Sequence, residues 1–122
     1  MTDIPVKDLY WIGSSHKDLV SLPDEVQDDV GYALHLAQIG EQSPKAKVLS
    51  GFGGAGVLEV VENWHGDTYR AVYTVRFAKA VYVLHCFQKK SKSGIATPKQ
   101  DMDKIIDRLK AASEHAQEMG ND

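Results

Sequence analysis

The sequence predicts an α+β fold, with an N-terminal helical hairpin and a C-terminal helix packed on a mainly antiparallel, twisted sheet. Three observations carry this. Ser21–Gly40 repeats apolar side chains at helical spacing, residues 57–88 hold three β-rich runs joined by short links, and Met102, Ile105, Ile106 and Leu109 form a second helical stripe. Short links between consecutive strands imply antiparallel pairing. A helical hairpin must bury its stripe against something, most simply a sheet face. At 122 residues the chain reads as one domain over 1–122, long enough for a single core.

Element by element, Lys7–Gly13 (KDLYWIG) is a short β-type run expected as an outer strand. Ser15 with Asp18 three positions on fits a capping box, so a helical turn is expected over His16–Val20. In Ser21–Gly40, Pro23 suits a first turn, and Asp24 and Glu25 lie near the positive end of the helix dipole. Val26, Val30, Leu34 and Ala37 share one face, and Gly40 is the stop. Glu41–Lys47, which contains Pro44, is a loop, and Val48-Leu49 begins a strand. Gly51–Gly56 is a flexible connection, and Val57–Glu62 is β-rich. Asn63–Thr68, with its His-Gly-Asp, reads as a hairpin turn. Tyr69–Phe77 and Ala80–Gln88 are strands joined by Ala78-Lys79. Thr97, Pro98 and Gln100 open the last helix as cap, first helical residue and capping-box partner. Its stripe fades after Ala112, and residues 119–122 read as a frayed tail.

The charge is unevenly spread. Residues 1–67 hold four Lys/Arg and eleven Asp/Glu, residues 68–100 hold seven cations and no acid, and residues 101–122 hold three and six. A formal net charge of −3 is not that of a general polyanion binder, yet one basic segment on an acidic body focuses a positive field locally. Cys86 stands alone, so a disulfide framework and a cysteine-based zinc site are excluded, and it reads as a small buried hydrophobe. No signal peptide is visible, and no apolar run approaches the roughly 20 residues that span a bilayer. The expected compartment is the cytoplasm, with no membrane partner.

Gly51, Gly53 and Gly56 satisfy G-x-G-x-x-G, but a β-rich segment follows where the dinucleotide fingerprint needs a helix, so a turn is the better reading. The five histidines show no metal-ligand spacing, and no metal or cofactor is expected. Alternation along the second strand puts Val81, Val83, His85, Phe87 and Lys89 on one face. His85 is then either a packed strand histidine with a partner or an acid/base group. In the preceding strand Arg70, Val72, Thr74 and Arg76 share one face, and Tyr69, Ala71, Tyr73, Val75 and Phe77 share the face that packs on the helices. Arg70 is expected to face water or a partner, or to form a cross-strand ion pair with Glu59 or Glu62. As a guanidinium fork it suits phosphate oxygens. Lys89, Lys90 and Lys92 form the densest basic cluster. Cations converging on the sheet could grip an RNA backbone and stabilise a pentavalent phosphorane.

The stretches WIGSSHKDL, VGYALHLAQIGE, AKVLSGFGGAGVLEV and TYRAVYTVRFAKAVYVLHCFQKKSKSGIATP span nearly the whole chain. In them the sequence resembles the RelE/HigB-like toxins of bacterial type II toxin–antitoxin modules, in the phage-derived branch of the RelE/ParE superfamily. The resemblance implies a RelE-like fold and a ribosome-dependent mRNA endonuclease, an mRNA interferase. Such an enzyme attacks the neighbouring phosphate with the ribose 2′-hydroxyl and without a metal. It further implies mRNA on the ribosome and ribosomal RNA as targets, and a HigA-like helix-turn-helix antitoxin as partner. Residue by residue, Arg70 matches the family's arginine at the start of the central strand, Lys89 and Lys90 match its basic pair, and Lys92 follows them. Arg70, Lys90 and His85 are thus the expected catalytic set, and Lys89, Lys92 and Arg76 the expected RNA-binding set. Where many relatives carry basic residues before the hairpin, this chain has Glu59 and Glu62. The alternative is a catalytically degenerate RelE-fold protein acting as a partner-binding or regulatory module.

Overall fold

The computed structural model describes residues 5–89 and 97–120. Eight elements follow in chain order: β1 (Asp8–Trp11), α1 (Ser15–Val20), α2 (Asp24–Gln38), β2 (Ala46–Val48), β3 (Val57–Trp64), β4 (Asp67–Thr74), β5 (Ala80–Lys89) and α3 (Lys99–Glu118). The five strands form one sheet in the order β1-β5-β4-β3-β2. β2 through β5 pair antiparallel, as the short links require, and β1 joins the far edge parallel to β5. The expected α+β architecture is the observed one.

The two sheet faces carry different helices. On one face Val26, Val30, Ala33, Leu34 and Ala37 of α2 pack with Leu58, Val60, Ala71, Tyr73, Val81, Val83 and Cys86. On the other, Ile105, Ala112 and Ala116 of α3 pack with Val57, Val72, Tyr82, Leu84 and Phe87. β5 is therefore buried on both sides, which explains why it reads as a near-continuous apolar run.

Local chemistry sets the element ends. The expected capping box at Ser15 does not form; Ser14 sits at the N-terminal end of α1, and its hydroxyl donates to Asp18 Oδ2 at 2.7 Å. Ser15 is buried, donating to the Val83 carbonyl at 3.2 Å. α2 starts at Asp24 rather than Ser21, because Pro23 with ψ 149° sits in the extended region just outside the helix. The Gln27 amide closes the α1–α2 link by donating to the Leu22 carbonyl at 2.7 Å. Gly40 at φ 84° lets the chain turn off α2, and the Glu41 amide donates back to the Leu36 carbonyl at 2.8 Å. The β3–β4 turn places His65 at φ 51° and Gly66 at φ 83°, the two positive angles a tight I′ hairpin needs. Pro98, not Thr97, occupies the N-cap of α3, and the helix continues past Ala112 to Glu118 because Ala116 is buried and His115 meets Tyr82.

β4 ends at Thr74; Val75 still packs on the α2 side with Tyr69, Ala71 and Tyr73, and the alternation fails at Phe77. Phe77 packs against Tyr82 on the α3 side instead of joining Tyr73 on the α2 side. β5 departs more sharply. Val72 pairs with His85 and Tyr73 with Val83, leaving Leu84 as an extra residue in a β-bulge. Paired residues of an antiparallel sheet point the same way. Val81 and Val83 thus face α2, while His85, Phe87 and Lys89 face α3 together with Leu84. The expectation of one face shared by Val81, Val83, His85, Phe87 and Lys89 is corrected by that bulge.

Candidate functional site

The bulge sets the site, because it turns the end of β5 toward the side of the sheet that Arg70 occupies. Arg70 lies opposite Phe87, and Thr68 lies opposite Lys89. On the neighbouring strand Glu59 pairs with Val72 and so points the same way, and Lys47 of β2 lies opposite Glu59. Four charged side chains from four adjacent strands therefore meet at one end of the α3 face.

Glu59 is the centre of this group. Its carboxylate accepts from Arg70 Nη1 at 3.1 Å and lies 3.7 Å from Lys47 Nζ. Arg70 and Glu59 are each about 5% exposed at the side chain, whereas Lys47 is open to solvent. Arg70 Nη1 also reaches Thr97 Oγ1 at 3.5 Å, where the chain enters α3. Burial, and then the neighbouring Arg70 charge, hold the Lys89 ammonium below the ordinary lysine range, with Glu59 opposing the shift. A cavity of about 390 Å³ opens beside the cluster, lined by Lys47, Leu49, Glu59, Thr97 and Met102. The arrangement can hold an oxyanion with guanidinium and ammonium groups, and it keeps a carboxylate within reach of them.

His85 sits at the edge of the same face in a network of its own. Its Nε2 lies 2.7 Å from Asp101 Oδ1 and its Nδ1 lies 3.4 Å from Arg108 Nη1. A guanidinium can only donate, so Nδ1 accepts and Nε2 carries the proton toward Asp101. Burial is the main cause that lowers the His85 pKa; Asp101 works against it, and Arg108 and Lys104 add to it. Arg108 also donates to the Leu84 carbonyl at 2.9 Å and to Ser14 Oγ at 3.0 Å, tying α3 to β5 and to the start of α1. Gly13, at φ 58°, leaves room for that guanidinium: a Cβ there would stand 2.8 Å from Arg108 Nε.

The expected residues divide accordingly. Arg70 and Lys89 come together, and the ion pair weighed for Arg70 is made with Glu59 and not with Glu62. Arg70 is buried rather than open to water. Arg76 does not join them. It lies six residues along, about 20 Å at strand spacing, where its Nη2 donates to the Phe52 carbonyl at 2.8 Å and clips the glycine-rich loop. Lys90 and Lys92 lie outside the described residues. Lys47 joins the site without a sequence signal, because a lone lysine in a short, weakly patterned strand carries none of its own. The sequence marks Glu59 only as an ion-pair partner for Arg70, since nothing in a strand sequence says that a glutamate will stand among three cations.

Glu62 faces the other side. Lys45 Nζ bridges Glu62 Oε1 at 2.8 Å and Asp29 Oδ2 at 3.3 Å, clasping β3 to α2. Burial raises the Glu62 pKa, with Asp29 adding to it, while the hydrogen bond from Glu62 lowers that of Asp29. Cys86 is buried, and burial pushes its thiol up to about 12. Among the described residues no group of three His, Cys, Asp or Glu could hold a metal ion, and no helix is long and apolar enough to cross a membrane.

Residues 17–110 match the family model for phage-derived Gp49-like proteins. The chain belongs to that family. The Gp49-like chain is also similar in structure to a mutant of the toxin RelE from E. coli in its free state. The TM-score is 0.59 at 19% sequence identity, covering 85% of this chain and 98% of that one. The fold of this Gp49-like protein is thus RelE-like, and the phage-derived resemblance read from the sequence holds at the level of family and fold. No curated protein matches the chain.

Proposed function

We propose that this Gp49-like protein is the toxin of a toxin–antitoxin module and acts as a ribosome-dependent mRNA endonuclease in the cytoplasm. The observation that supports this most is the meeting of Lys47, Arg70 and Lys89 around Glu59 beside an open cavity. The scissile phosphate of mRNA takes the place beside Arg70, and its developing charge is held by the guanidinium and the lysines. Glu59, released from Arg70 by the incoming phosphate, takes the proton of the attacking 2′-hydroxyl. The 2′-oxygen bonds to phosphorus, the bond from phosphorus to the 5′-oxygen breaks, and Lys89 returns a proton to that oxygen. Lys90 and Lys92, outside the described residues, would add positive charge for flanking message or ribosomal RNA. His85 holds α3 in place and takes no proton in this scheme, since both of its ring nitrogens are engaged. Arg76 contributes only long-range charge. A HigA-like helix-turn-helix antitoxin is the partner that would cover the basic face.

The test is induction of the wild-type chain in a bacterial host, with primer extension on ribosome-bound message. Growth arrest and new 5′ ends are expected, both lost in Glu59→Gln. Unimpaired growth with intact message would refute the reading. A partner-binding module without catalysis is the second reading, favoured by the burial of Arg70 against Glu59, which leaves the guanidinium already neutralised. That reading requires a stable antitoxin complex and no cut message.

A further inference from the structure

The two oxygens of the Glu59 carboxylate are divided between two cations. Oε2 accepts from Arg70 Nη1 at 3.1 Å, and Oε1 lies 3.7 Å from Lys47 Nζ. The first contact is buried on both sides, whereas the second opens to solvent at Lys47. Thr97, which also meets Arg70 Nη1, lines the 390 Å³ cavity together with Glu59 and Lys47. An oxyanion entering that cavity thus meets Glu59 and Thr97 before it meets the buried guanidinium. The carboxylate occupies the place on the guanidinium that a phosphate oxygen would take. A phosphate set beside an unmoved carboxylate would bring like charges together where little water screens them. The ligand can displace Glu59 only if the exchange leaves both anions with a cation.

We infer that Lys47 is a positioning residue, which receives the Glu59 carboxylate when a phosphate takes Arg70. The inference rests on the proposed RNA chemistry and adds to it how the site opens. Lys47 stands directly opposite Glu59 on the neighbouring strand, so a side-chain rotation of Glu59 along the cavity wall closes the 3.7 Å gap. Lys89 is no rival for this part, because β4 lies between its strand and that of Glu59, and the two backbones are about 10 Å apart at sheet spacing. The long, flexible lysine stem at the solvent edge can follow the carboxylate, which a guanidinium packed in the sheet cannot. Three cations around a single carboxylate also leave charge for one more anion. After moving, Glu59 still lines the cavity, where the 2′-hydroxyl of the message can reach it.

The test measures pyrophosphate binding to the intact protein by titration calorimetry, in the wild type, Glu59→Gln, Lys47→Met and the double variant. Glu59→Gln removes the competing charge and should bind about tenfold tighter, the scale of one pair in contact, although it cuts no message. Lys47→Met should weaken binding about tenfold in the wild-type background and much less in the Glu59→Gln background, where no carboxylate has to be received. A lysine that only draws anions in would give the same loss in both backgrounds, and that result would overturn the inference. As a check independent of any variant's folding, a crystal structure of the wild-type chain with pyrophosphate should show a phosphate oxygen on Arg70. The Glu59 carboxylate should then lie closer to Lys47 than the present 3.7 Å. Glu59 still on Arg70, or pyrophosphate bound by none of the four chains, would equally overturn the inference. None of these outcomes decides the cleavage proposal, which stands or falls on the ribosome-bound message.

Discussion

Leu84 and His85 are consecutive in β5, and both face α3. A regular strand would send them to opposite sides. The extra residue separates the apolar half of β5, which follows one phase of alternation, from its chemical half, which follows the other. His85, buried and neutral, then becomes a pin between the sheet and α3. Its lowered pKa means that the unfolded chain takes up the proton first as pH falls. The stability His85 contributes is complete above pH 6.5 and is lost as pH falls through its lower folded value. His85→Gln should flatten the pH dependence of the thermal midpoint between pH 7 and pH 5, measured by circular dichroism against the wild type.

Arg70 and Glu59 test how a buried ion pair behaves in this sheet. Removing one partner strands the other charge in the core, so Arg70→Ala should cost about 3–5 kcal/mol in urea unfolding. The double change Arg70→Ala/Glu59→Ala should recover a large part of that loss. A double-variant loss equal to the sum of the Arg70→Ala and Glu59→Ala losses would show that the pair is not coupled.

Gly13 has a steric and a conformational reason to be glycine. Gly13→Ala forces a Cβ against the Arg108 guanidinium at a left-handed backbone angle. A loss of about 1–3 kcal/mol is expected. The Gly13→Ala/Arg108→Ala double variant, which removes the clash but keeps the angle, should lose less than the sum of the two single changes.

The Asp29–Lys45–Glu62 clasp gives the opposite pH signature to His85 at one of its members. The raised Glu62 pKa favours folding while the group is protonated, and that benefit is lost as pH rises through the folded value. Asp29, lowered, works the other way and loses its contribution as pH falls. Glu62→Gln keeps the shape without the charge. Its thermal midpoint relative to the wild type should therefore climb between pH 4 and pH 7.

Much of this architecture is visible in the residues. The α2 stripe of Val26, Val30, Leu34 and Ala37, the His65-Gly66 turn and the three-strand meander follow from period and turn chemistry alone. Arg70 and Lys89 could be placed on neighbouring strands for the same reason. The phase of β5 past Leu84 could not, because an apolar run buried on both faces hides a one-residue slip. Nor could Lys47 be placed, since β2 has three residues and too little pattern to fix its register. The engagement of His85 with Asp101 needs a contact between β5 and α3 that no spacing encodes.

The brevity of β2 has a consequence for the behaviour of the chain in concentrated solution. An outermost strand offers unpaired peptide groups to any other chain, and a long flat one invites fibrillar stacking. Here that margin is three residues long, with the Lys47 ammonium projecting from it. Too few ladder bonds can form for a second molecule to zip on, and two such molecules meeting edge to edge would bring like charges together. Lys47 thereby opposes edge-to-edge pairing at the β2 margin of the sheet.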